Sequence, residues 1–409
     1  MRCPCLRRSQ TSRSLARFFA ALITLLITPF LLLGPAWADP GSDTWSSKLA
    51  DAVGSAQLGN GGKGVTVAVL DTWIDATHPD FGHRVLPGAD CATNHLCTPG
   101  TAAPDKCEPH GTHVAGIVAG SVYGIAPQST ILPVRVLANG PSGCTADSQD
   151  VARGVRWAAG HGAQVINLSL GSTYPVDDPG GVLRQAVADV SKAGVVVVVA
   201  AGNGQASATD VYGNDALVVA ALGPSGQLAS YSQRGTGVDL AAPGGDPIGG
   251  NCDADHCVVS TWSDHGYAAD AGTSMAAPFV SGAAALLLGQ QPHRGRQNVM
   301  NTLTHTAIPL KDAGAGRLDI RRALAQDAPA AATQQPASAG ERVATTAPAR
   351  SGAPKVTARP TAPAQTASHP ADSHSHGWPK PVLALVAASL IGVTGSAVWQ
   401  TLRGGRRST

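Results

Sequence analysis

Four polar residues stand at positions where their types could act together. Asp71 ends the apolar run "VTVAVL" (65–70), and His110 lies in "EPHGTHVAGIVAG". Asn203 follows "VVVVVAAG", and Ser274 lies in "DAGTSMAAPFVSGAAALLLG". A serine hydroxyl becomes a useful nucleophile only when a base removes its proton, and a neutral imidazole needs a carboxylate to fix its tautomer and stabilise the cation that forms. The residues between Gly272 and Pro278 are nearly all small, so backbone and substrate can approach Ser274 closely. A helix starting there would turn amide N–H groups toward a developing oxyanion, and Asn203, just past a strand, offers a second donor. Each residue also has an ordinary role open to it. Ser274 could cap a helix, His110 could be a capping or core histidine, Asn203 a turn residue tolerant of left-handed backbone, and Asp71 a cap or the polar end of a buried strand. Their joint occurrence in the order Asp, His, Asn, Ser favours acyl-transfer chemistry.

Such groups need a rigid frame, and the hydrophobic pattern supplies one. "VTVAVL" (65–70), "TILPVRVL" (130–137), "AQVINLSL" (163–170), "GVVVVVAAG" (194–202) and "ALVVAAL" (216–222) are Val- and Ile-rich runs without polar alternation. That is the pattern of parallel strands buried on both faces. Residues 110–121, 147–160 and 180–192 are helix-compatible and long enough for crossovers. The expected fold is α/β, a doubly wound and mostly parallel sheet with helices on both faces, with sites at the carboxyl ends of its strands.

The chain ends explain an uneven charge. The whole chain of 409 residues has a formal net charge of +2, with 48 Gly, 29 Pro and 14% charged residues, which suits a loop-rich secreted protein. Of its 29 basic residues, five precede Asp39 and four follow Pro379, so 20 remain against all 27 acids, a net charge of −7 for residues 39–379. An acidic body speaks against a nucleic-acid partner. Residues 1–38 carry an Arg-rich start, the run "FFAALITLLITPFLLLG" and a small-x-small site ending at Ala38, the parts of a signal peptide. Residues 39–60 read as an N-terminal extension and 61–327 as the domain expected to carry the catalysis. Residues 328–379, rich in Ala, Pro and Thr, read as a tether that buries too little apolar surface to order itself. Residues 380–402 hold "PVLALVAASLIGVTGSAVW", long enough to cross a bilayer as a helix. Arg403, Arg406 and Arg407 in the tail 403–409 put that end in the cytoplasm and everything before Pro381 outside.

Cysteine usage fits an oxidising location. Beyond Cys3 and Cys5 in the signal, six cysteines remain: Cys91, Cys97, Cys107, Cys144, Cys252 and Cys257. The short polar loop "NCDADHC" makes Cys252–Cys257 the first expected pair, and the other pairings stay open. A zinc site is disfavoured because the spacings are not paired C-x2-C knuckles, and His369, His374 and His376 have no Cys or carboxylate cluster at ligand spacing. No cofactor or metal is expected.

The flanking contexts resemble the subtilase family of serine proteases. The resemblance rests on "VAVLDTWIDATHPDF" around Asp71, "HGTHVAGIVAG" from His110, "GIAP" (124–127), "NLSLG" (167–171), "AAGN" (200–203) and "GTSMAAPFVSG" from Gly272, and spans about residues 61–325. It implies Asp71 as orienting carboxylate, His110 as general base then acid, Ser274 as nucleophile and Asn203 as oxyanion donor. It further implies that Ser169, Leu170 and Gly171 pair with an extended peptide substrate and line a specificity pocket with Ala201 and Gly202. The sequon "NLS" at 167–169 is then a chance match. The whole-chain plan is similar to the mycosins, membrane-anchored subtilases of type VII secretion. That narrower likeness implies the membrane components of such a secretion complex as partners. It leaves open a scaffold whose protease site is secondary, or a housekeeping surface protease. The 32 residues from Asp39 to Asp71 are too few for the folded inhibitory prodomain many subtilases carry. One departure stands out: subtilases generally have Gly two residues after the orienting Asp, where this chain has Trp73. If that turn needs φ > 0, Trp73 carries a steric penalty of roughly 1–2 kcal/mol, and Trp73→Gly should keep or raise activity.

Overall fold

The Val and Ile runs do form strands, and the sheet they build determines where the polar residues can meet. The computed structural model describes residues 44–326 apart from 94, 101–106, 108, 141–142, 171–177, 179 and 205–206. The signal peptide, tether, membrane helix and cytoplasmic tail expected from sequence lie outside the described residues, as does Gly171. Among the described residues no helix is long and apolar enough to cross a membrane.

In chain order the strands are β1 (Thr66–Asp71), β2 (Ala89–Asp90), β3 (Thr98–Pro99), β4 (Thr130–Arg135), β5 (Ala138–Gly140), β6 (Gly143–Thr145), β7 (Val165–Leu168), β8 (Val196–Ala200), β9 (Leu217–Leu222), β10 (Leu240–Pro243), β11 (Val258–Thr261) and β12 (Tyr267–Asp270). The helices are α1 (Trp45–Ala50), α2 (Ala52–Leu58), α3 (His110–Ala119), α4 (Ser148–Gly160), α5 (Val182–Lys192), α6 (Thr273–Gln290), α7 (Arg296–Thr306) and α8 (Ile320–Ala325). Eight strands make one sheet in the order β10-β9-β8-β7-β1-β4-β2-β3, parallel throughout except for the edge pair β2 and β3. Two antiparallel ribbons, β5 with β6 and β11 with β12, lie apart from it.

Alternate residues of each strand enter different cores. Val67, Val69, Val196, Val198, Val219 and Leu240 pack on one face with α3, α6, α7 and α8. Ala68, Leu70, Val197, Val199, Val218 and Ala241 pack on the other with α4 and α5. Both faces being covered explains why the strands read as unbroken apolar runs. Helix α6 is apolar all round because it is buried from Thr273 to Leu288. Residues 44–60, set apart as an extension by the sequence, pack as part of the same body. Ala50 and Ala52 join the first core, Trp45 Nε1 donates to the Cys257 carbonyl at 3.0 Å, and Asp51 pairs with Arg321 of α8.

The chain leaves β1 toward β4 on one side and later returns to β7 on the other, so the winding reverses between β1 and β7. Ligand sites of doubly wound sheets form outside the strand carboxyl ends at such a switch. Leu70 and Leu168 are paired in register there, which places Asp71 and Ser169, the next residue of each strand line, side by side.

Candidate active site

Asp71 is fully buried at the end of β1. Its Oδ1 lies 2.7 Å from His110 Nδ1 and also accepts from the Thr72 amide at 2.7 Å. A carboxylate only accepts, so His110 donates from Nδ1 and its Nε2 is left as the acceptor. The ring is the first residue of α3 and 24% exposed, open enough to meet a substrate. The Oδ2 atom of Asp71 has no hydrogen-bond partner among the described residues.

Residues 72–75 back the first turn of α3. Thr72 Oγ1 accepts from the Gly111 amide at 2.9 Å, and the Asp75 amide donates to Thr112 Oγ1 at 2.9 Å. A Cβ at Gly111 would lie 2.9 Å from the Thr72 carbonyl oxygen, 3.0 Å from that of Trp73 and 3.2 Å from Asp71 Cβ. Glycine is needed at 111 because two backbones approach that closely beside the Asp71–His110 contact. His113, the second histidine of "HGTH", has a different part. It is fully buried, and its Nε2 lies 3.2 Å and 3.1 Å from the carbonyls of Val258 and Ala268, tying α3 to the β11–β12 ribbon. Burial pushes its pKa down, more than Asp270 raises it, so it stays neutral and inaccessible.

Ser274 begins the first turn of α6, 8% exposed. Its Oγ donates to the Ser169 carbonyl at 3.2 Å, while Ser169 Oγ donates to the Ser274 carbonyl at 2.7 Å. Asn167 Nδ2 donates to Ser169 Oγ and Ser281 Oγ donates to Asn167 Oδ1, both at 2.8 Å. This buried network locks the end of β7 to α6. His110 is thus held on Asp71 and Ser274 on Ser169, the two neighbouring strand-line ends at the switch. A 3.2 Å O–H···O contact is long, so little is lost when the hydroxyl turns to a better acceptor.

Asn203 is exposed just beyond β8, and its amide is oriented by Thr273. Its Oδ1 accepts from the Thr273 amide at 3.0 Å and from Thr273 Oγ1 at 2.9 Å, while Thr273 Oγ1 accepts from the Gly202 amide at 2.9 Å. With Oδ1 engaged, Nδ2 is the donor end of the amide. A Cβ at Gly272 would sit 3.4 Å from Asn203 Nδ2, 3.5 Å from the Ser274 amide nitrogen and 3.6 Å from Met275 Sδ, so two donor nitrogens border one small space that glycine leaves open. That arrangement suits an oxygen acquiring negative charge.

The other expected site residues are placed less uniformly. Ser169 is 2% exposed with its hydroxyl in the buried network, which leaves its backbone as the part that can meet a peptide. Leu170 is half-buried beside it, and Ala201 and Gly202 follow β8 next to Thr273. Asn167 is fully buried with its amide engaged, consistent with the sequon being a chance match. Trp73 does not fit the expectation of a positive-φ turn, since it is absent from the non-glycine residues with φ > 0. The steric premise for a glycine there is therefore missing. The expected Cys252–Cys257 disulfide is present, with Cys91–Cys97 and Cys107–Cys144 beside it. Thr72, Gly111, Asn167, Thr273 and Ser281 were not read from sequence as site residues. Their signal is adjacency to the polar four, which becomes interpretable only with the fold in hand.

A doubly wound sheet that carries a carboxylate-bound imidazole and a helix-start serine on adjacent strand ends has the parts a serine hydrolase needs. The comparisons narrow that class. The profile of the subtilase family, Peptidase_S8, matches residues 62–343, and the chain belongs to that family. It is 37% identical to Subtilisin Savinase of Lederbergia lenta over 274 residues, 65% of this chain and 91% of that protein. It is 36% identical to Thermitase of Thermoactinomyces vulgaris over 275 residues, 64% of this chain and 89% of that protein. Among solved structures, a protease of Pseudoalteromonas arctica superposes with a TM-score of 0.61 at 28% identity, covering 70% of this chain and 99% of that one. MycP1 with its N-terminal propeptide removed superposes with a TM-score of 0.56 at 26% identity, covering 69% and 96%. The protein is a subtilisin-like serine endopeptidase.

Proposed function

We propose that the chain hydrolyses peptide bonds through Asp71, His110 and Ser274. The observation that carries this reading is the pair of neighbouring strand-line ends that hold His110 on Asp71 and Ser274 on Ser169. In the forward step Ser274 Oγ attacks the scissile carbonyl and its proton passes to His110 Nε2, while Asp71 stabilises the imidazolium. The carbonyl oxygen takes up negative charge against Asn203 Nδ2 and the Ser274 amide. His110 then protonates the leaving amine, and water repeats the sequence to free the acid. Peptide hydrolysis by the full chain, lost in Ser274→Ala, tests this; unchanged turnover in that variant would overturn it.

The same proposal places the protease outside the cell, held by the 380–402 helix through the 328–379 tether, as a mycosin-type component of type VII secretion. The whole-chain sequence plan supports this, and the likeness to MycP1 adds to it. External protease added to intact cells should release the catalytic body; release only after lysis would reverse the orientation. A housekeeping surface protease is the second reading, favoured by the 37% identity to Savinase. Loss of secretion through a type VII apparatus on deletion, restored by the full chain, decides for the first.

A further inference from the structure

We infer that Trp73 is a positioning residue for His110, acting through the stretch that carries the histidine into α3. This rests on the triad reading above. Trp73 is buried, 9% exposed, two residues past the end of β1. Its indole Nε1 donates to the Cys107 carbonyl at 3.2 Å, three residues before His110. Its own carbonyl lies against Gly111, 3.0 Å from where a Cβ would stand, one residue after His110. Trp73 therefore grips the chain on both sides of the imidazole, by side chain before it and by main chain after it.

Two further links make the grip rigid. Thr72 Oγ1 and Thr112 Oγ1 hold the same strip to the first turn of α3, as described above. On the entry side Cys107 is bonded to Cys144 in β6, with 5.6 Å between their Cα atoms, so the carbonyl that Trp73 holds is anchored to the β5–β6 ribbon. Cys107 is thus held from the ribbon through the disulfide and from the residues after β1 through the indole. By this inference the Nδ1 to Oδ1 contact on Asp71 depends on where Cys107 lies. A glycine at 73 would keep the main-chain half of the grip and lose the other half, reversing the gain expected from sequence.

The test uses the full chain and a fluorophosphonate, whose reaction with Ser274 needs the His110 base but no knowledge of the natural substrate. In Trp73→Phe, which keeps an apolar ring and loses the N–H, the maximal phosphonylation rate should fall about tenfold with little change in reagent affinity, since a misplacement near 1 Å costs on the order of 100-fold. Trp73→Gly should fall further, and Trp73→His, which restores an N–H donor on a ring, should recover part of the loss. Cys107→Ala with Cys144→Ala should lower the rate in the same way, and adding Trp73→Phe to that pair should cost less than it does alone. A well-folded Trp73→Phe protein that labels at the parent rate, with an unchanged pH dependence, would overturn the inference. So would a rate loss seen only near the unfolding temperature. Failure of the parent chain to label would sink the triad reading first, and this inference with it.

Discussion

Gly111→Ala sets two effects of opposite sign against each other. In an ordinary exposed helix the change stabilises by about 1 kcal/mol, because alanine has less backbone freedom to lose. At position 111 the added methyl would meet two main-chain carbonyl oxygens at 2.9 and 3.0 Å and Asp71 Cβ at 3.2 Å. Backbone cannot swing aside as a side chain can, so α3 and the 72–73 strip must separate by a few tenths of an ångström. Overpacking of this kind costs about 1–3 kcal/mol, which equals or exceeds the propensity gain. The separation also strains the Gly111 to Thr72 hydrogen bond and the adjacent Asp71–His110 contact. A displacement of about half an ångström there should lower kcat/KM roughly tenfold, given the steep cost of misplacing a catalytic group. The assay is peptide hydrolysis under conditions where circular dichroism shows both proteins folded, with thermal unfolding alongside. A variant that is both more stable and fully active would refute the close-approach argument.

Three further outcomes follow from named contacts. Asn203→Ala should lower kcat by about 10²–10³-fold with a modest effect on KM, the magnitude known for the corresponding donor in subtilisin itself rather than one worked from this geometry. Thr273→Val, which removes the hydroxyl bonded to Asn203 Oδ1 and to the Gly202 amide, should cost less than Asn203→Ala and add little to it in the double variant. Asp239 gives a pH signature away from the site. Burial, reinforced by Asp210 and opposed by the Val218 amide, raises its pKa from 3.8 to about 6. A carboxyl whose pKa is raised on folding binds its proton more tightly in the native state, so its stabilisation is complete below the unfolded value and is lost as pH rises through about 6. Thermal unfolding of the parent should show this fall between roughly pH 4 and 6, and Asp239→Asn should lack it; parallel curves would refute the burial argument.

What was legible in the sequence had strong local causes. The strand runs at 65–70, 130–137, 163–170, 194–202 and 216–222 correspond to β1, β4, β7, β8 and β9, because burial on both faces leaves an unbroken apolar signal. The crossovers at 110–121, 147–160 and 180–192 correspond to α3, α4 and α5. The strand β10 was missed because "LAAP" is four residues long, rich in Ala and ends in Pro. The β11–β12 ribbon was missed because its residues are half exposed on one strand and buried on the other, with no single period. Helices α1 and α2 carry no clear period in the sequence because 44–58 is short and interrupts its apolar residues with Ser, Asp and Gly, and it is ordered by docking on the body through Trp45 and Asp51. At the site, residue types named the four polar groups, but two features needed three dimensions. One is the Asn167, Ser169, Ser274 and Ser281 network, whose members are up to 114 residues apart in sequence. The other is Trp73, whose meaning reverses once its backbone is seen to be ordinary and its indole to bond Cys107.

The central claim is that Ser274 is activated by a histidine held on Asp71. The most direct measurement is mass-spectrometric mapping of a fluorophosphonate adduct on the full chain and on Asp71→Asn. The account predicts a single adduct on Ser274 in the parent chain, forming orders of magnitude more slowly once Asp71 is replaced. An adduct on another residue, or labelling at an undiminished rate in Asp71→Asn, would contradict it and return Asp71 to the role of a buried strand end.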